Sequence, residues 1–198
     1  DQIFFYGRED NWWGPAGQTG PCGPDTEIFF DDGRPKCGPD CGPSCHCGKY
    51  TEIWNNVFMQ YFKDADGNFT PLKQKNVDTG MGLERILRIL NGVETVYDTS
   101  LFSGIISKVE ELSGKKYKDD PETTRAFRIV SDHLRAATFM LGDGVVPAKI
   151  GQGYILRRLI RRASRYLSKL GVDDICMQKV AEVVVRDYSP AYPELERN

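Results

Sequence analysis

The chain has 198 residues, of which 40% are hydrophobic and 27% are charged, and its formal net charge is -2. These values are ordinary for one or two globular domains with room for a sizeable core. The near-neutral charge argues against attraction of nucleic acid by the whole surface, and no apolar run approaches the roughly 18 residues of a membrane span. Because no signal-like start is visible, a cytoplasmic location is expected.

The first thirty residues are aromatic and rich in turns. Residues 3–6 predict a strand, residues 17–24 a loop of glycine and proline, and residues 27–30 a second short strand. The adjacent Trp12 and Trp13 either pack in the core or offer a flat surface beside the loop. Because the sequence begins inside apolar text without an initiating Met, we expect the chain to be part of a longer polypeptide.

A loop resembling an insertion, residues 31–49, contains four of the six cysteines and one of the two histidines. In a cytosolic protein this crowding predicts a metal site, and the alternatives are reduced free thiols or a disulfide. A zinc ion with four protein ligands has no open position, so it would be structural. The candidate ligands are Cys37, Cys41, Cys45 and Cys47, with His46 as an alternative to one of them.

Residues 50–63 are rich in aromatic and β-branched types and predict a long strand. An Asp-Gly signature within residues 64–68 predicts a hairpin, and residues 69–78 would return as the antiparallel partner.

This hairpin would bring Asp78 beside the strand that carries Glu52 and Asn55. Side chains alternate along a strand, so these last two residues would lie on opposite faces. A bulge or bend at Trp54 would be needed to aim both at one ligand.

Residues 76–90 predict an extended segment that meets a helix. Gly80 and Gly82 would let the backbone turn tightly or approach a ligand, and Arg85 near the helix N-terminus could bind phosphate. The alternative is a simple corner with a solvated Asp and Arg. One buried helical face is predicted from the spacing of Leu83, Ile86, Leu87 and Leu90.

After residue 92 the sequence pattern becomes typical of helices, which predicts a domain boundary there. Helices are expected at residues 100–113, 122–141, 154–169 and 174–186. The second of these has an apolar stripe of Phe127, Val130, Leu134, Ala137 and Leu141.

Residues 149–169 contain seven basic residues and no acidic one. The apolar stripe of the helix is predicted to be Ile155, Leu159, Ile160, Ala163 and Leu167. Like charges at i, i+4 repel, and a polyanion would relieve that repulsion. A solvated face usually mixes charges of both signs, so contact with nucleic acid or phosphate is predicted instead.

Five blocks resemble, in the same order, those of alanyl-tRNA synthetases: NWW, TGPCGPxTEI, EIWNxVFMQ, VDTGMGLER and GYxLRRxIRR. The resemblance runs from about residue 1 to residue 170. It implies an α+β chain, in which residues 1–92 are the C-terminal part of a class II catalytic domain with an antiparallel sheet. Residues 93–198 would begin an all-helical tRNA-recognition domain.

The resemblance also implies an activity and the residues that serve it. ATP and L-alanine would form alanyl-adenylate, and the alanyl group would pass to tRNA(Ala) without a covalent enzyme intermediate. The implied alanine site is Trp13, Asn55, Val57, Asp78 and Gly80, with Asp78 pairing with the ammonium. Glu52, Gly82 and Arg85 would contact ATP and Mg²⁺. The implied acceptor-stem contacts are Lys149, Arg157, Arg158, Arg161, Arg162 and Arg165.

Three features depart from the family pattern. The class II motifs that normally precede this region are missing, so the chain alone is predicted not to form alanyl-adenylate. Lys149 stands where many members have an Asn that reads the G·U pair of the acceptor stem. The cysteine loop is absent from many bacterial members. Two other readings stay open, namely a non-catalytic module that binds an RNA acceptor stem and a metal-stabilised domain without a ligand.

Overall fold

A computed structural model describes residues 2–197, except for the side chain of Asp174. The chain divides into two compact units, Asp1–Gly92 and Val93–Asn198, at the position where the composition changes. Strands dominate the first unit and helices make up the second, which confirms the α+β class. Among the described residues, no helix is long and apolar enough to span a membrane.

The first unit contains a four-stranded antiparallel sheet with strand order β1-β2-β3-β4. Strand β3 has the predicted bounds, and β4 continues two residues beyond the prediction. The strands are β1 (Trp12–Trp13), β2 (Gly20–Asp31), β3 (Tyr50–Lys63) and β4 (Phe69–Gly80).

Two predictions for the N-terminal region are wrong. Residues 3–6 form no strand, and Ile3 and Phe5 are exposed, because no neighbouring strand takes up their backbone hydrogen bonds. The loop predicted for residues 17–24 becomes strand from Gly20 onward, since β2 pairs with β3. Gly23 makes this possible, because a Cβ at that position would lie 1.9 Å from the carbonyl oxygen of Phe58.

Helix α1 (Leu83–Leu90) follows β4 as predicted, but its apolar face is not buried. Leu83 is 49% exposed and Leu90 is 77% exposed. The helix contacts β3 through polar groups instead, including a 3.1 Å hydrogen bond from Arg88 Nη1 to Thr51 Oγ1. The spacing predicted the helix correctly and its burial wrongly.

The second unit consists of helices around its own apolar core. They are α2 (Ser100–Ser113), α3 (Pro121–Gly142), α4 (Gly151–Lys169), α5 (Met177–Tyr188) and α6 (Glu194–Arg197), with 3-10 turns at Val96–Asp98 and Asp174–Cys176. Helix α6 was not predicted. The predicted stripe of α3 lies in the core except for Leu141, which is 45% exposed at the end of the helix.

Helix α4 begins three residues before its predicted start, and its predicted apolar stripe is correct at Ala163 and Leu167 but wrong at the start of the helix. Leu156 is fully buried, whereas the predicted Ile155 is 53% exposed. The register is set by Gly153, since a Cβ there would lie 2.3 Å from the carbonyl oxygen of Val146. This close approach packs the helix start against residues 146–148 and fixes the loop that carries Lys149.

Candidate functional site

Two alternate rungs of the sheet, separated by the pair of Asn56 and Thr79, bring together most of the predicted alanine site. Across β3 and β4, Asn55 pairs with Gly80 and Val57 pairs with Asp78. Residues directly opposite each other on antiparallel strands point to the same face, as do residues two apart on one strand. Four residues that lie up to 25 positions apart in the sequence therefore share one patch of the sheet.

The fifth predicted residue, Trp13, lies on β1 opposite Gly23 and is 38% exposed. Its neighbour Trp12 packs inward, with its ring 5.7 Å from that of Tyr61. Of the two tryptophans, Trp13 therefore offers more surface to a ligand.

A bulge in β3 brings Glu52 to the face that carries Asn55. Their partners on β2 are Phe29 and Glu27, which are two residues apart and share a face. Glu52 and Asn55 are three residues apart, so β3 contains one extra residue between them. This irregularity lies beside Trp54, where the sequence required it.

Asn55 joins two carboxylates that the sequence did not single out. Its Nδ2 donates to Asp25 Oδ2 at 3.3 Å and to Glu27 Oε1 at 3.1 Å. Asp25 is only 7% exposed. Acidic residues at alternate positions of a strand, 25 and 27, were the signal that could have revealed this pair.

The environment of Glu27 favours its protonated form. Burial, followed by the nearby charges of Glu52 and Asp25, raises the pKa of Glu27 to about 7. Asp10 adds to this effect and Arg85 opposes it. Negative charge therefore exceeds positive charge at this part of the sheet, which is a setting for a bound cation.

Glu52 and Arg85, predicted to contact Mg²⁺ and phosphate, pair with each other. Arg85 Nη1 donates to Glu52 Oε2 at 2.7 Å and to the Glu52 carbonyl oxygen at 3.2 Å. Both side chains are partly exposed and line a cleft of about 1100 Å³, together with Asp25 and Glu27. The residues that were predicted to bind the substrate alanine are not among those that line this cleft.

Gly80 and Gly82 do not form a turn that requires glycine. Neither has a positive φ, and Gly82 has a φ of -83°. A Cβ at Gly80 would meet no atom within 4 Å. The backbone at Gly80 is therefore open to close approach by another molecule.

The four loop cysteines converge into one cluster. Their sulfur atoms all lie within 4.8 Å of one another, and those of Cys37 and Cys45 are 3.4 Å apart. Sulfurs about 2.3 Å from a tetrahedral zinc would lie about 3.8 Å from each other. The donors and their spacing therefore fit a zinc ion. His46 is exposed and is not a member of the cluster.

The chemistry of the cluster also favours a cation over a disulfide. All six cysteines are free, and a 3.4 Å separation is far longer than the roughly 2.05 Å of a disulfide bond. The neighbouring thiols, first Cys45, raise the pKa of Cys37 to about 12. Four thiolates would repel one another without a bound cation, whereas a zinc ion would stabilise them all.

In the second unit, all six predicted basic residues are exposed. None of them forms an ion pair with a residue of the described part of the chain. Arg158 lies over the ring of Tyr154 and Arg162 over that of Tyr166. The basic face, defined as Arg157, Arg158, Arg161, Arg162 and Arg165, thus has its charges free to bind an external anion.

A neighbouring groove adds basic residues that the sequence did not indicate. It has a volume of about 620 Å³, and Arg125 and Arg128 of α3 line it together with Arg162. Arg128 is held in place by a 2.8 Å hydrogen bond to the Tyr117 hydroxyl. Only the packing of α3 against α4 brings these side chains together.

The whole chain, residues 1–198, matches the profile of a family described as tRNA synthetases class II (A). The chain belongs to this family. Its relatives include three proteins that are named alanine–tRNA ligase. The relative from Treponema denticola is 55% identical over 200 residues, which cover all of this chain and 33% of the relative. The Treponema pallidum protein is 54% identical over 98% of this chain and 32% of its own length. The Desulfitobacterium hafniense protein is 49% identical over 96% of this chain and 22% of its own length.

These matches confirm the resemblance to alanyl-tRNA synthetases that the five blocks indicated. The chain spans a third or less of the length of these relatives.

Proposed function

We propose that this chain provides one wall of the ATP and L-alanine site of an alanine–tRNA ligase, followed by the start of its tRNA-recognition domain. The observation that carries the proposal is the pair of sheet rungs that unites Asn55 with Gly80 and Val57 with Asp78. A carboxylate beside a small apolar side chain suits an amino acid with an ammonium group and a methyl group. The relatives are named alanine–tRNA ligase and are similar to this chain over nearly all of its length, which supports the same function.

The residues of the proposed alanine-binding site would contact different parts of the substrate. Asp78 pairs with the substrate ammonium, and Val57 with Asn55 lines the pocket for the methyl group. Trp13 forms a side wall, and the absence of a Cβ at Gly80 lets the ligand approach the backbone. A small pocket excludes larger side chains sterically, but it discriminates weakly against glycine or serine.

ATP would replace the contact between Arg85 and Glu52. Arg85 would bind a phosphate of ATP, with Gly82 allowing close approach, and Glu52 would be freed to contact Mg²⁺. Magnesium commonly uses one or two carboxylates together with substrate phosphates and water, so a single Glu52 fits that role. When bound, the ion would offset phosphate charge as the alanine carboxylate attacks the α-phosphate, which forms alanyl-adenylate and breaks the bond to the leaving pyrophosphate.

The basic face and Lys149 would contact the acceptor stem of tRNA(Ala). Their free charges support binding to the phosphate backbone. Contacts of the five arginines with phosphates would not depend on the base sequence. Lys149 lies on a loop held against α4 by Gly153 and would take the position of the family's base-reading Asn. A Lys lacks the paired donor and acceptor of an amide, so we expect less strict reading of the G·U pair.

The cysteine cluster would hold a structural zinc. The ion would tie residues 37–47 into one rigid loop, and four thiolates would leave no position for a reacting water.

A segment exchange tests the proposed function directly. In the Treponema denticola ligase, the matching third is replaced by this chain, and the product is called the substituted ligase. We expect it to catalyse alanine-dependent exchange between ATP and pyrophosphate, whereas the 198-residue chain alone does not. A folded substituted ligase without exchange would refute the proposal. Exchange by the chain alone would refute the expectation that a second wall is needed.

The alternative is a non-catalytic module that binds an RNA acceptor stem, and the free charges of the basic face favour it equally. Tryptophan emission separates the two functions, because Trp13 and Trp54 lie near the proposed ligand site. A response of the chain to ATP, Mg²⁺ and alanine supports the ligase. An unchanged emission together with tRNA binding supports the module.

A further inference from the structure

Two buried oxygen atoms near the proposed alanine site have no hydrogen-bond donor among the described residues. They are Oδ1 of Asp25 and Oδ1 of Asn55. Buried polar atoms are nearly always paired, so each such atom in a folded protein requires an explanation. Both are acceptors, and the group that would satisfy them must therefore carry N–H or O–H donors.

The orientation of Asn55 follows from its neighbours. Its Nδ2 donates to both Asp25 and Glu27, and only the amide nitrogen can do so. The amide thus holds two carboxylates together on one face of β2. We call Asp25 and Glu27 the carboxylate pair.

The carboxylate pair lies close to the residues that are proposed to bind alanine. Asp25 is opposite Val57 on one side, just as Asp78 is opposite Val57 on the other. All three therefore point to one face of the sheet, and adjacent strands are about 4.8 Å apart. A group placed over Val57 would have a carboxylate on either side.

A metal ion explains the pair less well than an ammonium group does. Among the residues that the structure describes, only the cysteine cluster brings three or more ligand atoms within 4.8 Å of one another. The carboxylate pair with Glu52 does not form such a set. An ammonium group has three N–H donors and no fixed coordination geometry, so separate acceptors can each receive one bond.

The number of donors also argues for more than one carboxylate. Asp78 is exposed on β4 and one of its oxygens already accepts from the amide of Thr79 at 3.0 Å. A substrate ammonium that is removed from water needs acceptors for all its N–H groups. One carboxylate with a partly used oxygen does not satisfy that need.

We infer that the carboxylate pair Asp25 and Glu27, positioned by Asn55, binds the ammonium group of the amino acid substrate together with Asp78. This inference rests on the proposed function. It makes Asn55 the residue that holds the pair through Nδ2, while its Oδ1, unpaired among the described residues, is a further acceptor for the same ammonium. The ammonium would then be bound by carboxylates from two strands, β2 and β4. The methyl group of the substrate would contact Val57.

The test uses the substituted ligase and the isosteric variants Asp25→Asn and Glu27→Gln. We expect each to raise the KM for L-alanine in ATP–pyrophosphate exchange, by about 10- to 100-fold for Asp25→Asn, because a charged hydrogen bond is lost. The KM for ATP should stay within twofold. Asp66→Asn, in the turn between β3 and β4, makes the same change outside the site and should leave both values unchanged.

Two inhibitors distinguish loss of an ammonium contact from a distorted pocket. L-Alaninol carries the ammonium but no carboxylate, and its inhibition constant should rise in Asp25→Asn by the same factor as the KM for alanine. L-Lactate has a hydroxyl in place of the ammonium, and its inhibition constant should not change. If one variant fails to fold, the other supplies both measurements.

The outcomes separate the inference from the proposed function. An unchanged KM for alanine in folded variants overturns the inference alone, as does an effect on ATP or Mg²⁺ in place of alanine. Equal losses for L-alaninol and L-lactate also overturn it, since they indicate a distorted pocket. If the unmutated substituted ligase shows no exchange, the proposed function fails and the inference fails with it.

Discussion

Single residues of the first unit decide what its sheet can bind, and Glu27 is the clearest case. Its carboxylate is half-buried, is joined to Asn55, and faces Glu52 and Asp25 with only Arg85 to offset them. A carboxylate kept near its titration point is easily ionised by an arriving cation. The same residue would thus be partly protonated at neutral pH in the free protein and more fully ionised in a complex with an ammonium.

This environment predicts a pH dependence of stability. The pKa of Glu27 rises from 4.5 to about 7, so between these pH values the folded chain binds more protons than the unfolded chain. The contribution of Glu27 is fully present below pH 4.5 and is lost as pH rises through about 7. Unfolding by urea at pH 5 and pH 8 should show a larger fall in stability for the wild type than for Glu27→Gln.

The exposed Glu9 offers a matched control for that measurement. Glu9→Gln should follow the wild-type pH dependence. Parallel stability curves for the wild type and Glu27→Gln would show that Glu27 titrates normally.

At the scale of elements, we expect the cysteine loop between β2 and β3 to depend on a bound metal rather than on secondary structure. It contains no helix or strand. Backbone hydrogen bonds from Cys41 to Gly38 and from Cys45 to Gly42 shape its turns, and the four sulfurs converge into one cluster. Short loops of this kind usually gain their folding energy from the bound ion.

We expect the purified chain to contain about one equivalent of zinc. Cys41→Ser should lose most of the metal and lower the melting temperature, and a chelator should have a similar effect on the wild type. Cys176→Ser removes a thiol outside the cluster and should retain the metal. Elemental analysis that finds less than about a tenth of an equivalent in the wild type would exclude the site.

The basic face of α4 is the second element whose chemistry can be measured. Its arginines repel one another along the helix and have no acidic partner among the described residues. Binding to a polyanion would release counterions in proportion to the phosphates that are neutralised.

Salt titration of tRNA binding to the chain tests this face. Arg161→Ala should weaken binding and reduce the slope of log K against log salt by about one. Lys73→Ala, which removes an exposed charge from β4, should leave the slope unchanged. An equal slope for the wild type and Arg161→Ala would mean that this arginine contacts no phosphate.

At the scale of the whole molecule, each unit has a different source of stability. The core cluster of buried residues, from Phe102 to Val184, lies entirely in the second unit. Among the described residues, the first unit has few buried apolar side chains, namely Cys22, Cys41 and Val57. Apolar burial therefore stabilises the helices, whereas the sheet relies more on its ladders and its loop cluster.

We therefore expect residues 93–198 to fold without the first unit. Circular dichroism should show a helical spectrum and cooperative melting for this segment. Phe127→Ala should reduce its stability by about 3–5 kcal/mol, because the side chain is fully buried. Leu141→Ala, at a partly exposed position, should have a much smaller effect. A segment that melts without cooperativity would show that its core needs the rest of the chain.

Local patterns in the sequence determined the elements that depend on near neighbours. The aromatic and β-branched run fixed β3, the Asp-Gly turn fixed its hairpin with β4, and the spacing of cysteines indicated their cluster. Helix α2 matched its predicted bounds because its cap and apolar spacing are both local. The motif blocks were long enough to identify the family.

Only the tertiary structure decided which surfaces are covered and which distant groups meet. Periodicity marked Leu83 and Leu90 as a face, but burial requires a partner surface, and none of the described residues buries them. Likewise, the union of Asp25 and Glu27 with Asn55 depends on the register between β2 and β3. A spacing within one segment cannot encode that register, because it arises from the strand pairing as a whole.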